Sequence, residues 1–261
     1  MSVSLIIATY NRPDALLLVL RSVEGQMTLP DEVIIADDGS HRESQKLITD
    51  FRQSSNLNII HSWQEDKGFR TAKSRNKAIS KSNGDYIVLI DGDMILHPEF
   101  INDHINQAQP SYFVQGSRVL LTQDKTKQTL DQQKINFSLL SNGLQNRKNA
   151  FHSNILSKLF SNKRNYLRGI RTCNMAFYKQ DCININGFNN DFEGWGREDS
   201  EFITRLLNSG INRKNIRFNA IQFHLWHNEN INDSLEKNDA ILQDAIENRT
   251  KWCNNGIDSY L

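Results

Sequence analysis

The chain has 261 residues, with 31 Lys plus Arg against 30 Asp plus Glu, a formal net charge of +1. At 38% hydrophobic and 23% charged with only four Pro, this composition excludes a disordered or fibrous chain, and the length suits one large domain or two small ones. The longest apolar runs, Ala15 to Leu20 and Tyr86 to Ile90, fall far short of the ~20 residues of a membrane span.

The first half alternates strand and helix. Val3 to Ala8 is a short apolar run, rich in β-branched residues, that predicts a buried strand. Asn11 is placed to cap a helix opening at Pro13 and carrying Leu16, Leu17, Leu20 and Val23 at helical spacing. Glu32 to Ala36 predicts a second buried strand, ending in Asp37-Asp38-Gly39-Ser40. A helix around Glu43 to Phe51 follows, then a strand near Leu57 to Trp63. Thr71 to Ser82 reads as a helix stopped by Asn83-Gly84, and Tyr86 to Ile90 as a strand running into Asp91-Gly92-Asp93. Strands alternating with helices of this length imply parallel βαβ units, with ligands in the crevice at the strands' carboxyl ends.

Residues from about 120 to 167 break this pattern. The stretch is polar and rich in Asn and Gln, with one amphipathic segment of Phe151, Ile155 and Leu159 at i, i+4, i+8 and Leu156 and Phe160 beside them. It is also basic. No acidic residue occurs between Asp131 and Asp181, while Lys134, Arg147, Lys148, Lys158, Lys163, Arg164, Arg168, Arg171 and Lys179 add nine positive charges. The near-neutral total therefore hides a remainder at −8, +1 less nine. Beyond it, Thr172 to Tyr178 reads as a strand, Asn186-Gly187 as a turn, Glu198 to Asn208 as a helix stopping at Gly210, and Asp233 to Thr250 as a terminal helix.

Three constellations carry chemistry. Two carboxylates bracketing Gly92 at a buried strand end repel one another unless compensated, which suits a hard divalent cation; Asp-Gly is also a common turn dipeptide, so a plain turn stays open. His224-Leu225-Trp226-His227 offers two imidazoles for Mn²⁺ beside carboxylates if a turn brings them to one side; otherwise one is packed and one is on the surface. Glu193-Gly194-Trp195-Gly196-Arg197-Glu198-Asp199-Ser200-Glu201 sets one large ring between glycines, a stacking surface for a sugar, just before an acidic helix start favoured by the helix dipole. An acid-rich helix start alone explains Glu198, Asp199 and Glu201, but not the Gly-Trp-Gly before them.

Ala8-Thr9-Tyr10-Asn11-Arg12-Pro13 and Asp37-Asp38-Gly39-Ser40 follow strands and share the crevice edge with Asp91, where polar side chains can meet a nucleobase and ribose. Neither Gly-x-Gly-x-x-Gly nor a P-loop pattern occurs in this region, so phosphate charge falls to metal and to basic side chains such as Lys67, Arg70 and Arg75.

Together these motifs resemble the family 2 glycosyltransferases of the GT-A fold. The opening strand, the second-strand acids and Asp91-Gly92-Asp93 look like that family's nucleotide site and D-x-D. Asn186-Gly187-Phe188 followed by Gly194-Trp195-Gly196-Arg197-Glu198-Asp199 looks like a signature of β-1,4-galactosyltransferases and bacterial chondroitin-type polymerases. Gly68-Phe69-Arg70-Thr71-Ala72-Lys73 is similar to the segment holding a phosphate-contacting Arg in that group. The resemblance covers the chain except for about 120 to 167, and order and spacing carry it more than any single motif.

The resemblance implies an α/β GT-A fold with a Rossmann-like, mostly parallel sheet flanked by helices and a helical basic insertion. It would form one domain over 1–261, with a nucleotide-binding half (1–119), a variable insertion (120–167) and an acceptor-binding and catalytic half (168–261). It implies an inverting, Mn²⁺- or Mg²⁺-dependent transfer of a hexose or N-acetylhexosamine, galactose-type favoured, from a UDP-sugar donor to a glycan acceptor. Asp38 would meet the uracil, with Ala8, Tyr10 and Arg12 around the nucleotide. Arg70 would contact the diphosphate, assisted by Lys67 and Arg75. Asp93 and His227 would bind metal, Asp91 would sit near the ribose or metal, and His224 would stand where animal galactosyltransferases carry a Met ligand. Asp199 would be the general base, with Glu198, Trp195 and Arg197 on the acceptor side. Arg197 stands where a second Gly is common in this loop, and Ser200 where a further acid contacts the acceptor; both departures bear on acceptor identity.

The basic segment reads as a solvated face, as an acceptor-binding insertion for an anionic or lipid-linked glycan, or as a contact with an anionic membrane through Phe151, Ile155, Leu159 and Phe160. The last two combine in an enzyme of bacterial lipopolysaccharide, O-antigen or capsule synthesis. A nucleic-acid partner lacks motif and aromatics. The opening residues lack a basic signal-peptide segment, and Cys173, Cys182 and Cys253 form no C-x-x-C, so a reducing, cytoplasmic location, peripheral on the inner membrane, is the expectation. The sequons at Asn136, Asn232 and Asn248 would matter only in a secreted chain. Two rivals remain. A sugar-nucleotide nucleotidyltransferase would carry a Gly-rich phosphate loop, and a non-catalytic glycan-binding protein has no need of Asp91, Asp93 and a His pair.

Overall fold

Apolar, β-branched runs build the central layer. In the computed structural model, which describes residues 1–228 and 235–261, β1 (Val3–Thr9), β2 (Glu32–Asp37), β3 (Ile59–Trp63) and β4 (Tyr86–Asp91) lie parallel in the order β3-β2-β1-β4. β1, β2 and β4 are buried along nearly their whole length, as strands covered on both faces must be. The period-2 alternation divides their side chains between two cores. On one face, Leu5, Ile7, Val33, Ile35 and Val88 meet Leu16, Val19 and Leu20 of α1 (Pro13–Glu24) and Ile48 of α2 (Arg42–Ser54). On the other, Ile6, Ile34, Ile87 and Leu89 meet Ala72, Ala78 and Ile79 of α3 (Thr71–Ser80). Each fully buried Leu or Ile contributes roughly 1.5–3 kcal/mol before entropy is counted.

The chain continues through β5 (Met94–Leu96), α4 (Phe100–Gln107), β6 (Tyr112–Gln115), β7 (Arg118–Leu121), α5 (Gln123–Gln132), β8 (Leu144–Gln145), α6 (Asn154–Phe160) and β9 (Asn162–Lys163). Then come β10 (Asn174–Tyr178), α7 (Lys179–Asn184), α8 (Glu198–Asn208), β11 (Asn212–Asn215), β12 (Gln222–His224) and α9 (Leu235–Glu247). The large sheet extends past β4 in the order β10-β6-β11-β9, with β10 antiparallel to both β4 and β6 and β11 parallel to β6. A second sheet runs β5-β12-β7-β8. The architecture is the expected mixed α/β one, a large and largely parallel sheet flanked by helices.

The second sheet was not anticipated: its strands are two to four residues long, too short to show alternation. Residues 120–167 are more regular than their composition suggests. Thr122 caps α5 by accepting from Lys125 N at 3.3 Å, and β8 and β9 pair onto the edges of the two sheets. Asn11 is not a cap. It turns through φ 48° and its Oδ1 accepts from His41 N at 2.7 Å, leaving Arg12 at the helix N-cap. α3 ends two residues before Ser82, and β10 begins at Asn174 rather than Thr172, because Thr172 is drawn into the site below. The expected start of the terminal helix at Asp233 and the sequon at Asn232 lie outside the described residues.

Candidate active site

Strand order reverses between β1 and β4, and the crevice this leaves at the carboxyl ends is where α/β sheets take ligands. Ala8 and Thr9 from β1, Tyr10 just after it, Asp38 after β2 and Asp91 from β4 line one cavity of about 630 Å³ there. Two glycines allow these turns. Gly39 has φ +100°, and a Cβ on it would lie 2.5 Å from Asp66 Cα; a Cβ on Gly92 would lie 2.9 Å from Thr9 Oγ1. Asp38 accepts from Gln64 Nε2 at 2.6 Å and from Arg70 N at 2.7 Å, and burial pushes its carboxyl above the ordinary range.

The opposite wall comes from the second half of the chain: Thr172, Trp195, Arg197, Glu198 and Asp199 line the same cavity. Arg75, buried on α3, joins the halves. Its guanidinium reaches Asp91 Oδ1 at 3.2 Å, Asp199 Oδ1 at 3.1 Å and Glu198 Oε1 at 3.7 Å. Three carboxylates around one buried guanidinium are stable only because its charge opposes their repulsion. Asp199 also accepts from Thr172 N at 2.9 Å and Thr172 Oγ1 at 2.7 Å, so its orientation is fixed from three sides. Glu198 is less well compensated. Burial, then the charge of Asp199, raises its carboxyl to about 7, and its Oε2 is buried without a hydrogen-bond partner. Trp195 leaves 46% of its surface open. Arg197 takes φ 76°, the left-handed conformation that favours glycine, and its Nε pairs with Asp239 on α9.

A second group lies beside the first. β12 pairs with β5 so that His224 faces Met94, next to Asp93, and Leu225 N donates to Asp93 O at 3.0 Å. The chain leaves the strand after His224, so His227 can turn back to the same carboxylate. His224 Nε2 and His227 Nε2 stand 3.3 and 3.4 Å from Asp93 Oδ2, and one donor atom from each of the three residues lies within 4.8 Å of the others. Burial opposes ionisation of Asp93, but the hydrogen bond and charge of His224 and the charges of His227 and Arg12 hold its carboxyl below the usual range. Asp93 Oδ1 is buried and unpartnered. One carboxylate and two imidazoles with a spare buried oxygen fit a borderline divalent cation.

Of the residues singled out in the sequence, Ala8, Tyr10, Asp38, Arg75, Asp91, Trp195, Arg197, Glu198, Asp199 and His227 line the cavity. Asp93 and His224 adjoin it through His227. Arg12, Lys67 and Arg70 do not line it: Arg12 lies 3.9 Å from Asp93, Lys67 pairs with Glu65 at 2.8 Å, and the Arg70 guanidinium donates to Glu65 O. Asp91 is not among the three converging donors; it faces Arg75. Thr172 and Arg118 also line the cavity without any signal in the sequence, since no spacing rule links Thr172 to an acid 27 residues later; Arg171, which lines it too, belongs to the basic segment read above as a solvated face, an acceptor-binding insertion or a membrane contact.

The pattern described as "Glycosyl transferase family 2" matches residues 4–184 of the chain. The chain belongs to that family. A second pattern, described as "N-terminal domain of galactosyltransferase", matches residues 154–228. This family 2 glycosyltransferase is 27% identical to hyaluronan synthase of Pasteurella multocida over 226 residues, 79% of this chain and 23% of that one. It is 27% identical to chondroitin synthase of Escherichia coli over 242 residues, 85% of this chain and 34% of that one. The chain thus spans 23% and 34% of the length of these two relatives. Over 97 residues it is 34% identical to the O-antigen chain rhamnosyltransferase RfbN of Salmonella typhimurium, covering 37% of this chain and 29% of that one. Among solved structures, TarS of S. aureus superposes with TM-score 0.63 at 16% identity, over all of this chain and 41% of TarS. TarS residues 1–349 in complex with UDP-GlcNAc gives 0.59 at 17%, over 88% and 60%. The fold is therefore the GT-A architecture of these glycosyltransferases.

Proposed function

We propose that this family 2 glycosyltransferase transfers a hexose or N-acetylhexosamine, galactose-type favoured, from a UDP-sugar to a glycan acceptor with inversion at the anomeric carbon. One observation carries the reading: a cation-type donor set and a paired acid set border one cavity at the switch point of the sheet. The UDP-GlcNAc and UDP complexes of TarS support the donor class.

Ala8, Tyr10 and Asp38 hold the nucleoside end, with residues 1–119 serving the donor and 168–261 the acceptor. Asp93, His224 and His227 would hold a divalent cation, Mn²⁺ or Mg²⁺, which would supply positive charge against the leaving diphosphate. Trp195 offers its exposed ring to one face of the acceptor sugar, and Glu198 binds an acceptor hydroxyl. Asp199 takes the proton of the attacking hydroxyl as its oxygen bonds to the anomeric carbon, and the bond to UDP breaks with its electron pair going to the β-phosphate oxygen. Such general-base assistance is typically worth ~10²–10⁴-fold. Thr172 and Arg75 hold Asp199 in place for that transfer.

The insertion over 120–167 fits a lipid-borne acceptor in bacterial lipopolysaccharide, O-antigen or capsule synthesis at the cytoplasmic face of a membrane. No helix of the described residues is long and apolar enough to cross one. α6 exposes Ile155 to 74% and Leu159 to 71%, and Phe151 and Phe160 flank Phe218 at 6.2 and 5.9 Å. Lys148, Lys158, Lys163 and Arg164 lie near this apolar ridge in the chain, a combination suited to an anionic leaflet at roughly 1 kcal/mol per nearby charge. Flotation with anionic rather than neutral liposomes at low salt is the expected behaviour; equal recovery from both sinks the membrane contact.

The donor reading is tested by thermal shift with UDP-sugars and Mn²⁺, where a ligand at 100 times its Kd adds about 2.7 kcal/mol. UDP and at least one UDP-sugar should raise Tm, and transfer should proceed without pyrophosphate release. No stabilisation by any nucleotide overturns the reading, and pyrophosphate release assigns a nucleotidyltransferase instead.

A further inference from the structure

Arg118, at the start of β7, and Arg171, just before β10, line the cavity that also holds Trp195 and Asp199. Among the described residues no carboxylate lies within 4.0 Å of either guanidinium, whereas Arg75 in the same cavity has three such neighbours. Burial, then the charge of Arg118, draws the Arg171 guanidinium below its ordinary value. The cavity also holds Asp91, Glu198 and Asp199, but these three are engaged by Arg75, so an anion from outside is the partner left for Arg118 and Arg171.

The segment that presents Arg171 is anchored on both sides. Gln115 Nε2 donates to Arg171 O at 2.6 Å, and the next residue, Thr172, makes the two hydrogen bonds to Asp199. Upstream, the Arg213 guanidinium holds the carbonyls of Tyr166, at 2.7 Å, and Arg168, at 3.0 Å. The backbone that carries Arg171 is therefore fixed one residue away from the group that orients the proposed base.

We propose that Arg118 and Arg171 form an acceptor subsite for a sugar bearing a fixed negative charge, a uronate carboxylate or a sugar phosphate, whose reacting hydroxyl is thereby set toward Asp199. This deepens the glycosyltransferase reading and rests on it. The planar guanidinium fork matches both anions, so substrate choice would follow charge on the acceptor as well as ring shape.

The test uses the full chain loaded with UDP and Mg²⁺ and titrates three probes that differ at C6: methyl glucuronide, methyl glucoside 6-phosphate and methyl glucoside. Binding is read by saturation-transfer NMR for wild type, Arg118→Gln, Arg171→Gln and Arg118→Lys. Wild type should bind a charged probe about tenfold more tightly than the neutral one, on the scale of one charge-assisted hydrogen bond. The two charged probes distinguish carboxylate from phosphate as the source. Both Gln variants should lose the preference while keeping UDP affinity and melting temperature, and Arg118→Lys should retain part of it. A wild type without preference for either anion, or a preference surviving both Gln changes, overturns the proposal. Loss of UDP affinity at unchanged melting temperature also overturns it, by assigning the pair to the donor. Failure of UDP to bind wild type is a separate result, and sinks the glycosyltransferase reading itself.

Discussion

The Arg75 guanidinium donates to Asp199 Oδ1 at 3.1 Å across 124 residues of sequence. This bond ties α3, in the half that carries the nucleotide motifs, to the first turn of α8. It leaves Asp199 in the cavity wall with one side occupied by Arg75 and another by Thr172. The carboxylate is thus held in one orientation by Arg75 and Thr172, the preorganisation that the proposed base would need.

Asp199→Asn keeps the shape and most hydrogen bonds of the side chain but removes its basicity. Turnover should fall ~10²–10⁴-fold. UDP affinity should be unchanged, since no donor-side residue is altered. Steady-state transfer assays beside UDP calorimetry check this, and a comparable loss of UDP affinity would place Asp199 on the donor.

Arg75→Met leaves Asp91, Glu198 and Asp199 facing one another without their shared cation. Removing one partner from a buried ionic group costs about 3–5 kcal/mol. Urea unfolding should show that loss. Adding Asp199→Asn to the same chain should recover part of it, because the two changes act on one network.

Glu198 links the site to pH. Its carboxyl ordinarily titrates at 4.5 and is raised to about 7 in the folded chain by burial and then by Asp199. Between those values the folded state keeps a proton that the unfolded state has lost. The stability from protonated Glu198 is therefore fully present below about 4.5 and declines as pH rises through about 7. Glu198→Gln cannot ionise and escapes this loss. The melting temperature of the variant relative to wild type should climb from about pH 5 to about pH 8 and then level; a constant gap over that range contradicts the burial argument.

Much of this fold is legible from the chain. The runs at Val3, Glu32 and Tyr86 are apolar enough to demand burial on both faces, and Pro13 and Asn83-Gly84 punctuate the helices between them. β5, β7, β8 and β12 are not, because their register depends on partners up to 130 residues away (His224 opposite Met94) and not on any pattern within them. The same division holds at the site. Asp91, Asp93, His224, His227, Glu198 and Asp199 stood out because acids and imidazoles cluster in sequence. Arg75 stood out as a phosphate ligand, yet its charge is committed to carboxylates from two distant segments. Thr172 and Arg118 carried no signal, since a lone Thr or Arg acquires meaning only from what tertiary packing sets beside it. Arg197 is the reverse case: its departure from glycine is visible in sequence, but only φ 76° shows why glycine is favoured there.

Asp93, with His224 and His227, is the proposed holder of the cation through which this glycosyltransferase would engage a UDP-sugar. Calorimetry of UDP binding to wild type and Asp93→Ala, each in Mn²⁺ and in EDTA, tests it most directly. Wild type should bind UDP tightly in Mn²⁺ and weakly in EDTA, and Asp93→Ala should bind weakly in both. Equal UDP affinity for the two proteins in Mn²⁺ would rule out Asp93 as a ligand of that cation.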